Sequence, residues 1–344
     1  MTDPLASRAP RHDDIPAILS LFETAFGKTI SAEHYRWKLQ SRRSPAENVV
    51  IAVDDSDRPV FHSAGIPCRC VIGGVEYWVM LGADVMTAPA YRRRGFNTRY
   101  SAALYARWKA AGVPLIVGFS NEQWGSSAYR VGLRPFGQLA SLIYPIRPER
   151  LLARKLKLPF LGRVEMLGRL WGLLRRHREK GDKKVRVEEV RKPGPAFDQL
   201  WQKIRDQVEP SMVRDLSWVR WRYFEDPSHK YRVFLARRNA QPVGYAAFSQ
   251  DDKVTATIAE IVTSRQDISA FATLLRLIQV TVRASSVEVL RTLAVPGSWP
   301  YERYRRAGFV VRSKGVVEHI LLDPAVTVPD AKDWFFTAAD FDAV

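Results

Sequence analysis

The chain repeats itself, and the repeat limits what it can fold into. Trp37-Lys38 is followed by Pro45, by the apolar run Val49-Val50-Ile51-Ala52-Val53 and by Arg58-Pro59-Val60. Trp221-Arg222 is followed by Pro227, by Tyr231-Arg232-Val233-Phe234-Leu235-Ala236 and by Gln241-Pro242-Val243. Each copy reads as strand, short polar turn, strand, which is a hairpin. The halves also end alike. Leu133–Pro148 and Phe309–Pro324 have equal length, each follows a glycine (Gly132, Gly308), and each reads as a hairpin closed by proline. Two matches in one order point to a tandem duplication. At roughly 150 residues per domain, the chain is long enough for two such units.

Composition agrees. Apolar residues make up 46% and charged residues 26%, which excludes collagen-like, low-complexity and wholly disordered chains. Cys68 and Cys70 lie two apart on an expected strand and so share a face. They read as packing residues of a chain from a reducing compartment, not as a disulfide framework or a zinc site.

In the first half, Asp13-Asp14 before IPAILSLFETAF marks an N-cap and an amphipathic helix. Strands are expected at about 48–54, 59–72 and 75–87, with Gly73-Gly74 turning between the last two. A helix ending near Ala111 is closed by Gly112. Pro114–Phe119 reads as a short, continuous apolar strand of the buried kind. Antiparallel strands followed by strand–helix–strand give a mixed α/β (α+β) sheet.

The stretch from Leu81 to Thr98 says most about chemistry. A strand ends, Pro89 breaks it, and a basic loop with Gly95 opens a long helix. The first N–H groups of a helix lack intrahelical partners and its dipole favours negative charge, so an anion can sit there. Gly95 lets backbone approach a ligand closely, and Arg92, Arg93 and Arg94 suit diphosphate oxygens. A solvated basic turn on a surface helix would look the same.

With Arg92-Arg93-Arg94-Gly95-Phe96-Asn97 behind Val85-Met86-Thr87-Ala88-Pro89, the sequence resembles the GNAT acyltransferases. Their pyrophosphate loop runs Arg/Gln-x-x-Gly-x-Gly/Ala; Asn97 departs from its last position. The resemblance implies two GNAT-like acyl-CoA N-acyltransferase folds in tandem and acetyl-CoA as acyl donor. It also implies that Val85, Met86 and Thr87 hold the pantetheine arm and that Arg92 to Thr98 hold the pyrophosphate. Leu115 to Asn121 resembles the family's next strand and its Gly-Phe-Pro-Asn exit, with Ser120 in place of proline and Asn121 as a CoA contact. The family's Tyr-x-x-x-Gly-Phe, whose tyrosine can act as general acid, is complete at Tyr304–Phe309. In the first half its tyrosine position falls on Ala128, and Tyr129 comes one residue later, about 100° around a helix. No Arg-x-x-Gly follows the second half's strand at Thr255–Thr263, so only the first copy is expected to bind CoA while the second buttresses the acceptor site. The arrangement resembles the double-GNAT enzymes of the enhanced-intracellular-survival type.

In that family an amine attacks the thioester directly in a ternary complex. The protein must position both substrates, take a proton from the ammonium and polarise the carbonyl. The candidate catalytic residues are Tyr129, Asp84 on the strand before the loop, and Glu122 at the mouth of the expected cleft. Asp84 also fits a partner for the loop arginines or a buried structural hydrogen bond, and Glu122 a solvated loop acid. The family's C-terminal carboxylate would be that of Val344 here, though Asp333–Val344 reads more simply as a frayed acidic tail. His62 reads as structural. The six histidines are scattered, so no metal site is expected.

The net charge is +17, and Arg147–Lys192 alone holds 16 Lys/Arg against 6 Asp/Glu. Within it, Leu167, Leu170, Trp171 and Leu174 share a helical face and Arg169, Arg175, Arg176 and Arg178 take other positions. Such a basic amphipathic helix, 163–178, either packs its stripe between two folds or lies on an anionic membrane surface. The expected divisions are 1–148, a first domain with the CoA loop; 149–192, a basic helical linker; and 193–344, a degenerate second domain. No apolar h-region opens the chain and no run of ~18 apolar residues crosses a membrane. A cytoplasmic protein, at most peripheral at the inner membrane face, is expected, acting on a small-molecule amine and not on DNA. Two rivals stay open: a Fem-like aminoacyltransferase with a tRNA-borne donor, which the charge suits but the Arg92–Gly95 loop does not, and a non-enzymatic binding protein on a GNAT scaffold.

Overall fold

The computed structural model describes residues 5–120, 129–157, 181–250 and 252–341; Asn121, Glu122, the 163–178 helix and Val344 lie outside them. The strands are β1 (Ala6–Arg8), β2 (Val49–Val53), β3 (Pro59–Ile72), β4 (Val75–Thr87), β5 (Leu115–Ser120), β6 (Arg134–Pro145), β7 (Val185–Val190), β8 (Ser211–Met212), β9 (Tyr231–Arg238), β10 (Gln241–Gln250), β11 (Thr255–Thr263), β12 (Val289–Ala294) and β13 (Val310–Leu321). The helices are α1 (Ile15–Phe26), α2 (Ala32–Gln40), α3 (Ala102–Ala110), α4 (Pro148–Leu156), α5 (Ala196–Val208), α6 (Leu216–Val219), α7 (Ile268–Arg283) and α8 (Trp299–Arg306). They form two compact units, Met1–Gly137 with Val316–Val328 and Gln138–Gly315 with Pro329–Val344.

In the first unit the sheet runs β1-β2-β3-β4-β5 and is completed by Val316–Leu321 of β13, antiparallel to β5. Only β4 and β5 are parallel, joined through α3. Local sequence explains the turns. Gly73 and Gly74 take φ of 58° and 77°, the pair of positive values that a tight hairpin turn needs. Gly27 closes α1 in the left-handed region, and the Ser31 hydroxyl accepts the His34 N–H to start α2. Asp14 does not cap α1 with its side chain; its carboxylate binds the Arg8 guanidinium and the Arg11 N–H, which ties β1 to the helix start. Trp108 on α3, Phe61, Met80 and Ile116 lie in the core between helix and sheet, each stabilising the unit by roughly 1.5–3 kcal/mol through burial. Cys68 and Cys70 share a face, and both are buried thiols that form no disulfide.

The second unit repeats the pattern. Its sheet runs β7-β9-β10-β11-β12 and is completed by the Ala140–Pro145 part of β6. Again one pair, β11 with β12, is parallel, joined through α7.

Three expectations are corrected. Leu133–Pro148 and Phe309–Pro324 are not hairpins; each is one 12-residue strand, β6 or β13. Gly132 and Gly308 take positive φ, but Gly137 and Gly315 inside the strands do not, and without that no tight turn forms. Each strand changes unit at its inner glycine. The linear divisions after 148 and 192 therefore do not describe the units, and Val185–Val190, expected as linker, is an edge strand paired with β9. The chain end is not frayed up to Phe341: Trp334, Phe335, Phe336 and Phe341 are buried, and the Phe335 N–H donates to the Pro210 carbonyl at 2.8 Å.

Candidate functional site

In the first unit β4 and β5 pair only at Met80–Ile116 and Leu81–Val117. Both strands continue, to Thr87 and Ser120, so their facing backbone groups part. Opposite Ser63, β4 holds one extra residue, because His62 faces Met86 while Ala64 faces Ala83. Such a bulge bends the strand and increases its twist. Asp84 sits in it at φ 47°, a conformation costing a non-glycine residue about 1–2 kcal/mol.

Its neighbours hold it there. Lys38 Nζ on α2 lies 2.9 Å from Asp84 Oδ1 and 2.8 Å from Oδ2. The Asp84 carbonyl accepts from His62 Nδ1 at 2.7 Å, which leaves Nε2 to accept the Tyr35 hydroxyl at 3.2 Å. Burial holds the His62 imidazole below its ordinary pKa, hence neutral, and the Tyr35 phenol above its own. Asp84, a candidate base by sequence, is thus the ion-pair partner of Lys38 and not of the loop arginines.

Beyond β4, Pro89–Tyr91 make one tight turn, Arg92 is extended, and Arg93 and Gly95 take φ of 63° and 78°. The chain is thereby reversed into a helix beginning at Phe96. The Arg99 N–H is the first to bond back, to the Gly95 carbonyl at 3.0 Å; those of Gly95, Phe96, Asn97 and Thr98 precede it and have no intrahelical acceptor. Arg92, Arg93 and Arg94 are exposed around them. Phe96 anchors the turn in the core against Tyr91 and Tyr100. Asn97, the departure from the loop pattern, accepts the Ser101 hydroxyl at 2.8 Å within a π turn, Asn97–Ser101. A Cβ on Gly95 would meet nothing within 4 Å, so its backbone conformation and not crowding selects glycine. Arg92 Nε donates to the Thr87 carbonyl at 3.2 Å and fastens the strand end to the loop.

The other candidates scatter. Met86 is buried; Val85 and Thr87 are half-buried on the parted part of β4, and Thr98 is exposed. Tyr129 is 48% exposed, with its carbonyl accepting the Gly132 N–H. Tyr304, from the complete second-half motif, is a core residue between Phe271 and Phe309, and burial pushes its phenol up.

One pairing was missed. Ala83-Asp84-Val85-Met86-Thr87 repeats as Ala259-Glu260-Ile261-Val262-Thr263, and Glu260 too lies beside a bulge, between Ala247 and Phe248 of its partner strand. It is fully buried, 2.7 Å from Arg214 Nε, and accepts the Tyr245 hydroxyl. Arg214 Nη2 reaches Asp340 at 2.6 Å. β11 and β12 pair only from Thr255–Val289 to Thr257–Arg291; beyond that, the turn Ala338–Asp340 packs against both strands. The space between parting strands is here filled by the chain's own tail.

Residues 6–131 match the family model of the GNAT acetyltransferase domain. The fold is the GNAT fold. A GCN5-related N-acetyltransferase from Anabaena variabilis matches 93% of this chain and 73% of its own at 14% identity and a TM-score of 0.66. An Enterococcus faecalis protein described as a probable N-acyltransferase matches with the same coverage at 13% and 0.66, and a GCN5-related N-acetyltransferase from Kribbella flavida covers 93% and 72% at 15% and 0.60. At such identities the likeness is one of fold. No curated protein matches by sequence. The GNAT match spans β1 to β5, including the bulge, the parted strands and the loop. Among the described residues no helix is long and apolar enough to cross a membrane.

Proposed function

We propose that this chain is an N-acyltransferase that takes acetyl-CoA in its first unit and passes the acyl group to a primary amine, while the second unit is a GNAT-like copy that takes no donor. The observations that carry this lie in one stretch of chain: β4 and β5 part beyond Leu81 and Val117, and β4 leads through a short reversing turn into a helix start with open N–H groups and three exposed arginines. An extended, amide-bearing arm ending in a diphosphate fits that sequence of groups. Val85, Met86 and Thr87 offer backbone partners to the arm; the N–H groups from Arg93 to Thr98 and the Arg92–Arg94 side chains offer them to the phosphates. Bound acetyl-CoA would supply the activated thioester. Tyr129, with Glu122 and Asn121 in the following segment, remains the candidate set for proton transfer and donor contact.

The shared strand order and the Asp84/Glu260 pair support two copies of one ancestor, as in enhanced-intracellular-survival-type enzymes. The tail wedged between β11 and β12 supports a single donor site.

Calorimetric titration of acetyl-CoA into wild type and Gly95→Glu tests this. The variant keeps the fold at a strain cost of order 1 kcal/mol and places a carboxylate on the open N–H groups. One acetyl-CoA per wild-type chain and at least roughly 100-fold weaker binding by the variant are expected, a difference of about 2.7 kcal/mol. Absence of binding to wild type removes the CoA donor and leaves a tRNA-borne donor or a binding scaffold; two per chain would mean that the second unit binds as well.

A further inference from the structure

On the α3 face of the first unit one cross-strand row has almost no side chains. Gly65 on β3 faces Gly82 on β4. Gly118 on β5 follows Val117, the last residue paired to β4, and faces Glu318 on β13. The row is therefore Gly65, Gly82, Gly118, Glu318. The row beneath it, Pro67, Met80, Ile116 and Ile320, packs into the core. Gly65 is covered by the Trp108 ring, which an added Cβ would approach to 2.6 Å, and Gly118 by Leu133, at 3.3 Å from such a Cβ. Between them Gly82 is exposed although it lies mid-strand. The gap opens where β4 and β5 begin to part. At its end stands Glu318, 3% exposed, with Oε2 lacking a hydrogen-bond partner.

We propose that Glu318, brought to the first unit on a strand from the far end of the chain, is the catalytic proton acceptor at the mouth of the parted β4 and β5 strands. This rests on the acyltransferase reading. Of the two acids among the described residues beside the parting strands, Asp84 is spent on Lys38, with both oxygens within 2.9 Å of the ammonium. Glu318 has an oxygen to offer, in the same row as Gly82, the one glycine of the three left open. Burial raises its pKa, and no charged group among the described residues adds to that. A carboxylate so raised is a stronger base near neutral pH. Its neighbour His319 lies on the opposite face, against Phe136. In the step, Glu318 takes one proton from the acceptor ammonium. The freed nitrogen pair forms the C–N bond, the C–S bond breaks with its pair leaving on sulfur, and the second nitrogen proton goes to the thiolate.

The test uses the full chain and Glu318→Gln, near-isosteric and without charge. Acetyl-CoA is titrated calorimetrically in buffers of different ionisation enthalpy from pH 5.5 to 8, and turnover is followed against a panel of primary amines. Donor binding should dehydrate Glu318 further, so wild type takes up protons on binding and the variant does not. The variant should bind acetyl-CoA within a few-fold of wild type and lose roughly 10²–10⁴-fold in kcat, together with the acid limb of its pH profile; Glu318→Asp should regain part of both. Unchanged proton uptake or an unchanged pH profile in the Gln variant overturns the assignment and leaves the acyltransferase reading standing. Absence of acetyl-CoA binding by wild type overturns both.

Discussion

Arg214 is the most consequential single charge in the second unit. It has no solvent exposure, its Nε lies 2.7 Å from Glu260, its Nη2 lies 2.6 and 2.7 Å from the two Asp340 oxygens, and it stacks 4.5 Å from the Trp218 ring. One cation thus serves two buried carboxylates. Arg214→Met keeps much of the volume and removes the charge. Deleting one partner of a buried pair costs about 3–5 kcal/mol, and here two acids are left behind. Asp340 escapes part of the cost by binding a proton, since burial already holds it above its ordinary pKa in the intact unit. The folded variant then carries more protons than the unfolded chain, so its stability falls as pH rises, by about 1.4 kcal/mol per pH unit for each such proton. Urea unfolding followed by tryptophan fluorescence at pH 5 and pH 8 should show a deficit in the 3–5 kcal/mol range at pH 8 and a smaller one at pH 5. A deficit under about 1 kcal/mol, or one equal at both pH values, would refute a buried, charged Arg214–Glu260–Asp340 group.

Two further outcomes bear on the first unit. Gly65→Ala drives a methyl to 2.6 Å from the Trp108 ring, and the overpacking should cost about 1–3 kcal/mol in the midpoint of denaturant unfolding; a neutral substitution would mean that Trp108 does not close over the glycine row. His62 is held neutral, with its folded pKa lowered by burial. The unfolded chain therefore takes the proton first as pH falls, and the stability present above about pH 6.5 is lost below it. Thermal melts at pH 7.5 and 5 should fall less for His62→Gln than for wild type, and equal falls would remove His62 from the acid response.

Much of the first unit was legible locally. The strands near 49–53, 59–72 and 75–87 show as apolar runs between glycine and proline breaks, and Arg92 to Thr98 announces a helix start by composition alone. What failed was long-range. Gly137 and Gly315 look like turn residues, but whether a glycine turns is settled by what the following strand pairs with, and those partners lie some 150–200 residues away in sequence, a separation no local window spans. Glu318 carried no signal for the same reason: its meaning comes from Gly118, Gly82 and Gly65 lying in one row. The Asp84/Glu260 equivalence was open to inspection in two five-residue stretches differing only by conservative changes, and the pairing of β10 with β11 shows the second bulge beside that acid. The tail was misjudged because its acids were weighed above its aromatics, Trp334, Phe335 and Phe336, which pack into the second unit.

The exchanged strands also set a timetable for making the protein. Residues 1–137 contain everything of the first sheet except its last strand, and that strand begins only at Val316. At about 5–20 residues per second of synthesis, the open edge of β5 waits on the order of 10–40 s for its partner. An unpaired edge is a template for any other nascent chain, so crowded polysomes favour chains that borrow each other's β13. The same exchange binds the halves in inheritance. Neither half can be lost, or passed to another gene, without removing a strand from the sheet that the other half keeps.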